Sequence, residues 1–281
     1  MPGQSSVAEE DAPIGVFDSG LGGLTVVQAI QERLPNENLV YLGDIARLPY
    51  GTRSPQTVQH YARNCARRLS AYGIKFLVVA CNTVSAVALE MLRAELAVPV
   101  LGVIEPGARA GVAASQSGRI GVIATAGTVQ SGAYPRAAAA LGRRPAPELF
   151  MEPAPLLVPL VEEGWLEGEV PRLVVGRYLA PLVSQRVDAL VLGCTHYPLL
   201  QAVIASELAA QSGRPVPVVD SAHATAQELA HLLEEQGWSA PASQPGRLRM
   251  FVTDMPQRFR EVAGRFLGHD LAGLDISSID L

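Results

Sequence analysis

Lysine is almost absent from this chain of 281 residues: Lys75 is the only one, and arginine carries the rest of the side-chain positive charge. An enzyme that works through pyridoxal phosphate needs a lysine for its Schiff base, usually beside a phosphate cradle, and nothing around Lys75 forms such a cradle. Cysteine is scarce as well. There are three, an odd number, widely spaced and without a CxxC pair, so neither a disulfide framework nor a zinc-ligand pair is read from them. No Lys/Arg block exists, and a formal net charge of −5 argues against nucleic acid or an anionic membrane surface as the main partner. No uninterrupted apolar stretch reaches the roughly 20 residues of a membrane span. The segment Met1–Asp11 is polar and acidic, unlike a secretory signal, and a reducing cytoplasm is the expected compartment.

What the chain does contain is apolar material, 48% of it, enough for two ordinary domains or one large one. Two short stretches share one design: FLVVACNT at 76–83 and ALVLGCTH at 189–196. In each, an apolar run of buried-strand length stops at a cysteine, small polar residues follow, and a helical pattern begins, Val84 to Leu96 after the first and Tyr197 to Leu208 after the second. Cys81 and Cys194 are therefore expected at strand ends facing helix N-termini. Free N–H groups and the helix dipole there favour negative charge, so both thiols are expected to titrate more easily than a free one.

The rest of the chain follows the same rhythm. Ile14–Phe17 reads as a strand, Asp18-Ser19-Gly20 opens a tight loop through Gly23, and Leu24 to Arg33 reads as a helix. The loop is neither GxGxxG nor a P-loop, which leaves no nucleotide motif. A second strand over 38–42 leads to the turn Leu48-Pro49-Tyr50-Gly51, placed over a pocket mouth. Ser54-Pro55 supplies a cap and first-turn proline for a helix to about Tyr72, whose apolar stripe takes Cys65 as a packing residue. From Arg119 the plan begins again: Ile120–Ala124 is a strand, Thr125 opens its loop, and Val129 to Leu141 is an alanine-rich helix. The two halves also match in spacing, 81 − 18 = 63 residues from first loop to cysteine and 194 − 125 = 69 in the second. This is an internal duplication.

The expected fold is α/β: two similar domains with mainly parallel sheets flanked by helices, related by a pseudo-two-fold duplication. The first domain is discontinuous, residues 12–103 and 217–281, and the second spans 104–216 after a polar tail at 1–11. In such sheets ligands bind at the carboxyl ends of strands, so Asp18, Cys81, Thr125 and Cys194 are expected around one cleft between the domains. A small acid held there could lose a carbon-bound proton to one thiolate and regain one from the opposite thiol, inverting its stereocentre with no cofactor and no metal. Backbone N–H groups, Asn82, Thr83 and Thr195 would stabilise the carbanion-like transition state, while Asp18 and Glu162 or His196 handle protons around the thiols. A two-lobed amino-acid binding protein and a thiol redox protein are the rival classes. The first needs no thiols, and the second is disfavoured by cysteines in separate units.

Five motifs carry a family resemblance: GVFDSGLGGLTV at 15–26, LPYG at 48–51, ACNT at 80–83, VPLVEEG at 158–164 and LGCTHYPL at 192–199. They span most of the chain in order, and the sequence resembles the glutamate racemase family of the cofactor-independent aspartate/glutamate racemase superfamily. The resemblance implies that Cys81 and Cys194 are two acid/bases, with Asp18 assisting the first and Glu162 and His196 the second. It implies contacts to a glutamate substrate from Asp18, Ser19, Tyr50, Gly51, Asn82, Thr83, Thr195 and His196. It implies, too, a homodimer and a supply of D-glutamate for peptidoglycan. Pro49 and Thr125 join the expected substrate contacts by their places at the pocket mouth and strand end. Relatives acting on aspartate or a hydantoin are the nearest alternative.

Overall fold

A computed structural model describes residues 10–242, 244–268 and 275–281, so the expected tail at 1–11 lies outside the described residues up to residue 9. The first half runs β1 (Ile14–Asp18), α1 (Leu24–Arg33), β2 (Leu39–Gly43), α2 (Pro55–Ser70), β3 (Phe76–Val79), α3 (Asn82–Val87), α4 (Leu89–Glu95), β4 (Val100–Gly102) and α5 (Ile104–Ala114). The second runs β5 (Arg119–Ala124), α6 (Ala126–Ser131), α7 (Ala133–Ala140), β6 (Glu148–Pro153), α8 (Leu157–Glu162), α9 (Glu169–Ser184), β7 (Ala189–Gly193), α10 (Gln201–Ser212), β8 (Val218–Asp220) and α11 (Ser221–Gln236). Last come β9 (Leu248–Val252), α12 (Pro256–Leu267) and β10 (Asp275–Ser278).

The strands form two parallel sheets, ordered β10-β9-β2-β1-β3-β4 and β6-β5-β7-β8. The order β2-β1-β3-β4 recurs as β6-β5-β7-β8, which is the duplication read from the spacing. β1, β3 and β7 are buried at every position and show no alternation, as expected of strands covered by helices on both faces. Around them Val16, Ile30, Tyr41, Leu190 and Leu229 belong to one apolar cluster, while Phe17, Cys65, Leu77 and Val79 belong to another on the opposite face of the first sheet. Cys65 is fully buried on α2, in the packing role expected of it. Among the described residues no helix is long and apolar enough to cross a membrane.

Several elements differ from expectation. β8 pairs with β7 through Leu190↔Val218 to Leu192↔Asp220, so the second sheet reaches Asp220 rather than ending at 216. Its return to the first sheet comes only at β9, which pairs with β2. β6 and β10 were not anticipated, because edge strands half open to water carry no sustained apolar run. The helix expected over 84–96 is broken into α3 and α4 at Ala88, where the Gln59 side chain donates to the Val87 carbonyl at 2.7 Å.

Candidate active site

Asp18, Cys81, Thr125 and Cys194 all stand at or just past the carboxyl ends of β1, β3, β5 and β7, an adjacent pair of strands in each sheet. Contacts between the halves close these ends over one another. Thr25 Oγ1 donates to the Thr195 carbonyl at 3.1 Å, the Thr83 and Thr125 hydroxyls meet at 3.0 Å, and Asn82 Nδ2 donates to the Tyr134 hydroxyl at 3.0 Å. The approach is so tight at Gly22 that a β-carbon there would collide with Thr195 Oγ1 and stand 2.6 Å from His196 Nδ1. Both thiols are nearly sealed, Cys81 at 6% exposure and Cys194 at 5%, and all three cysteines are free.

Cys81 is the residue that precedes α3, as its pattern predicted. Its Sγ donates to Ser19 Oγ at 3.4 Å, and Asp18, fully buried, accepts from the Gly20 N–H through Oδ2 at 2.8 Å. Here the expected easy ionisation is overturned. Burial above all, then the neighbouring charge of Asp18, push the thiol up to about 12, against smaller help from Ser19 and the Val84 N–H. Cys194 also raises Cys81, as the smallest of these influences. α3 has only six residues, and the partial charge of its N-terminus does not offset desolvation. Burial raises Asp18 too, opposed by His196 and by backbone N–H groups led by Gly20.

Cys194 is placed differently. A 3-10 turn, Tyr197–Leu200 with Pro198 in it, separates the thiol from α10, so it does not face a regular helix N-terminus. Instead its Sγ lies 3.8 Å from His196 Nδ1, and His196 Nε2 lies 3.2 Å from Glu162 Oε1 at the end of α8. Burial disfavours a charge on this imidazole, but the hydrogen bonds to Cys194 and Glu162 outweigh it and raise His196 to about 10. The imidazole beside the sulfur is thus biased toward its protonated form. Phe266 of α12 meets its ring edge-on at 5.4 Å, and Arg265 Nη1 donates to the Glu162 carbonyl at 3.0 Å.

The remaining candidates divide. Ser19, Asn82, Thr83, Thr195 and His196 are buried with the thiols, and Gly51 packs on Thr125, where a β-carbon would lie 3.1 Å from Thr125 Cβ. Pro49 is exposed, and the Tyr50 hydroxyl donates to Asp44. The motifs missed Tyr134, which is fully buried and accepts from Asn82. Its signal was available as the single aromatic residue in an alanine-rich helix. A separate groove of about 460 Å³ between α3–α4 and α5–α7 contains none of these residues.

The Asp/Glu/Hydantoin racemase family model matches residues 14–229. A protein of Syntrophus aciditrophicus named glutamate racemase is 47% identical over 263 residues, covering 94% of this chain and 95% of that one. The crystal structure of a glutamate racemase isoform from Bacillus anthracis superposes with a TM-score of 0.90 at 38% identity, over 97% of this chain and 98% of its own. That of Francisella tularensis glutamate racemase in complex with D-glutamate gives a TM-score of 0.86 at 36% identity, again over 97% and 98%.

Proposed function

The chain belongs to the Asp/Glu/Hydantoin racemase family, and on that premise we propose that it interconverts L- and D-glutamate by cofactor-independent, two-cysteine acid/base chemistry. One sulfur, as thiolate, takes the α-proton. The C–H electron pair stays on the α-carbon and spreads into the adjacent carboxylate, while the opposite thiol gives its proton to the other face. Each turnover thus removes one proton, returns one, and leaves the two sulfurs with exchanged protonation states. With Cys81 held as a thiol by burial and Asp18, the resting site is set to deliver from the Cys81 side. Asp18 and Ser19 serve Cys81; His196 and Glu162 serve Cys194 and carry its proton toward Glu162, whose side chain is 35% exposed.

The observation that carries this reading is the placement of Cys81 and Cys194 at equivalent strand ends of the two sheets, both buried. Thr83, Thr125, Thr195 and backbone N–H groups, including those near Gly51, hold the substrate and its developing charge, and Asn82 contacts the substrate through its side chain. Because both sulfurs are nearly sealed, the halves part along the Thr83–Thr125 contact to admit glutamate. The product D-glutamate is for peptidoglycan, and the enzyme works as a cytoplasmic homodimer. The test is racemisation of each enantiomer of glutamate and of aspartate by the purified chain, followed by circular dichroism. Glutamate turnover is expected, and activity on aspartate alone would remove the glutamate assignment.

A further inference from the structure

Tyr134 has no part in the chemistry above, yet it is fully buried and its hydroxyl is the partner of Asn82. An amide presents an acceptor on one side and donors on the other, so the way Asn82 is turned decides what it offers a ligand. Here Nδ2 donates to the Tyr134 oxygen at 3.0 Å, and Oδ1 has no partner among the described residues although Asn82 is 3% exposed. A phenol can instead donate to an amide oxygen, which would turn the NH2 outward. Where Tyr134 sends its own proton therefore matters. Ser221 stands beside the phenol, and its Oγ donates to the Leu192 carbonyl at 3.2 Å, which leaves its lone pairs for the phenol proton. With the Ser221 proton committed to Leu192, a phenol proton turned toward Ser221 would leave Tyr134 as the acceptor from Asn82.

Asp18 Oδ1 is another buried acceptor without a hydrogen-bond partner among the described residues, and the residues that carry these two oxygens lie on either side of Cys81: Asn82 follows it in the chain, and Ser19, next to Asp18, accepts its thiol. Two bare acceptors suit an ammonium group, which is donor only, and repel a carboxylate. We infer that Tyr134 is a positioning residue that fixes the Asn82 amide with its oxygen toward the ligand, so that this side of the site selects an ammonium group and rejects deaminated analogues. The inference rests on the reading that the site takes an amino acid.

Tyr134→Phe keeps the ring and removes the oxygen that Asn82 donates to. KM for glutamate is expected to rise about tenfold with kcat changed less than about twofold, the split that marks lost binding equal in ground and transition states. The inhibition constant of glutarate, which has both carboxylates and no ammonium, is expected to stay the same. Parallel weakening of glutamate and glutarate, or no change in either, overturns the inference. In an Asn82→Asp background both side-chain oxygens accept whichever way they turn, so adding Tyr134→Phe is expected to change KM less than about twofold, and a full tenfold change there also overturns it. Ser221→Ala, which removes the acceptor for the phenol proton, is the second variant should the phenylalanine form not fold, with the same split at about threefold; parallel weakening or no split overturns the inference there too. If the unaltered chain racemises aspartate and not glutamate, the proposed substrate falls, and the same comparison with aspartate and succinate still decides the role of Tyr134.

Discussion

The two cysteines occupy matching places in a repeated strand order, but their neighbourhoods are unlike. Cys81 directly precedes a short helix, bonds a neutral hydroxyl, and sits beside a buried carboxylate that helps burial hold it as a thiol. Cys194 leads into a 3-10 turn and is joined through His196, itself raised to about 10, to a carboxylate that reaches solvent. The duplication sets where the sulfurs are; on the proposed mechanism the side chains around them set how protons come and go. A stereocentre-inverting site needs two positions to be equivalent in space, and it does not need them to be equivalent in charge.

The largest test of that comparison is removal of either sulfur. Cys81→Ala and Cys194→Ala are each expected to lower kcat by at least about a thousandfold in both directions, since acid/base groups contribute roughly 10²–10⁴. Turnover within tenfold of the unaltered chain in either variant would break the pairing. Next in size is the asymmetry of the helpers. His196→Asn removes the cation beside Cys194 and is expected to lower kcat about a hundredfold, whereas Ser19→Ala, which removes a neutral partner of Cys81, is expected to lower it about fivefold. Equal losses would mean that the two neighbourhoods do the same work.

Gly22→Ala tests the closure that brings the halves together. Its β-carbon has no room against Thr195 and His196, and about 1–3 kcal/mol of stability is expected to be lost, read as a lower urea midpoint. The smallest effect is a slope. His196 is raised in the folded state from 6.5 to about 10, so its contribution to stability is complete below pH 6.5 and is lost as pH rises toward 10. The urea midpoint of the unaltered chain is therefore expected to fall across that window, and more steeply than that of His196→Asn. An identical slope in the two proteins would remove the ion-pair account of the Cys194 side.

Much of this architecture was legible because its central strands are buried on both faces. Phe76–Val79 and Ala189–Gly193 read as unbroken apolar runs, and the cysteines that end them could be aligned by spacing. β6 and β10 were not legible, since an edge strand such as Glu148–Pro153 is only partly covered and carries polar residues at both ends. The placement of Asp18, Ser19, Asn82, Thr83, Thr195 and His196 followed from their adjacency to strand ends. Local pattern could not reveal that the Tyr50 hydroxyl turns to Asp44, because that choice depends on a carboxylate fixed by Arg47 and by Thr253 from β9's end. Nor could it reveal the rise in Cys81. Helix dipoles are visible in sequence; the degree of burial that outweighs them is a property of the packed molecule.

The measurement that bears most directly on two sulfurs facing one carbon is the fate of hydrogen at that carbon when L-glutamate is converted in deuterium oxide. Nuclear magnetic resonance at early turnover is expected to show D-glutamate carrying deuterium at the α position while the remaining L-glutamate keeps protium, because the group that takes the proton is not the group that gives one. Deuterium entering recovered L-glutamate as fast as it enters D-glutamate, or D-glutamate that retains the original protium, would contradict the account.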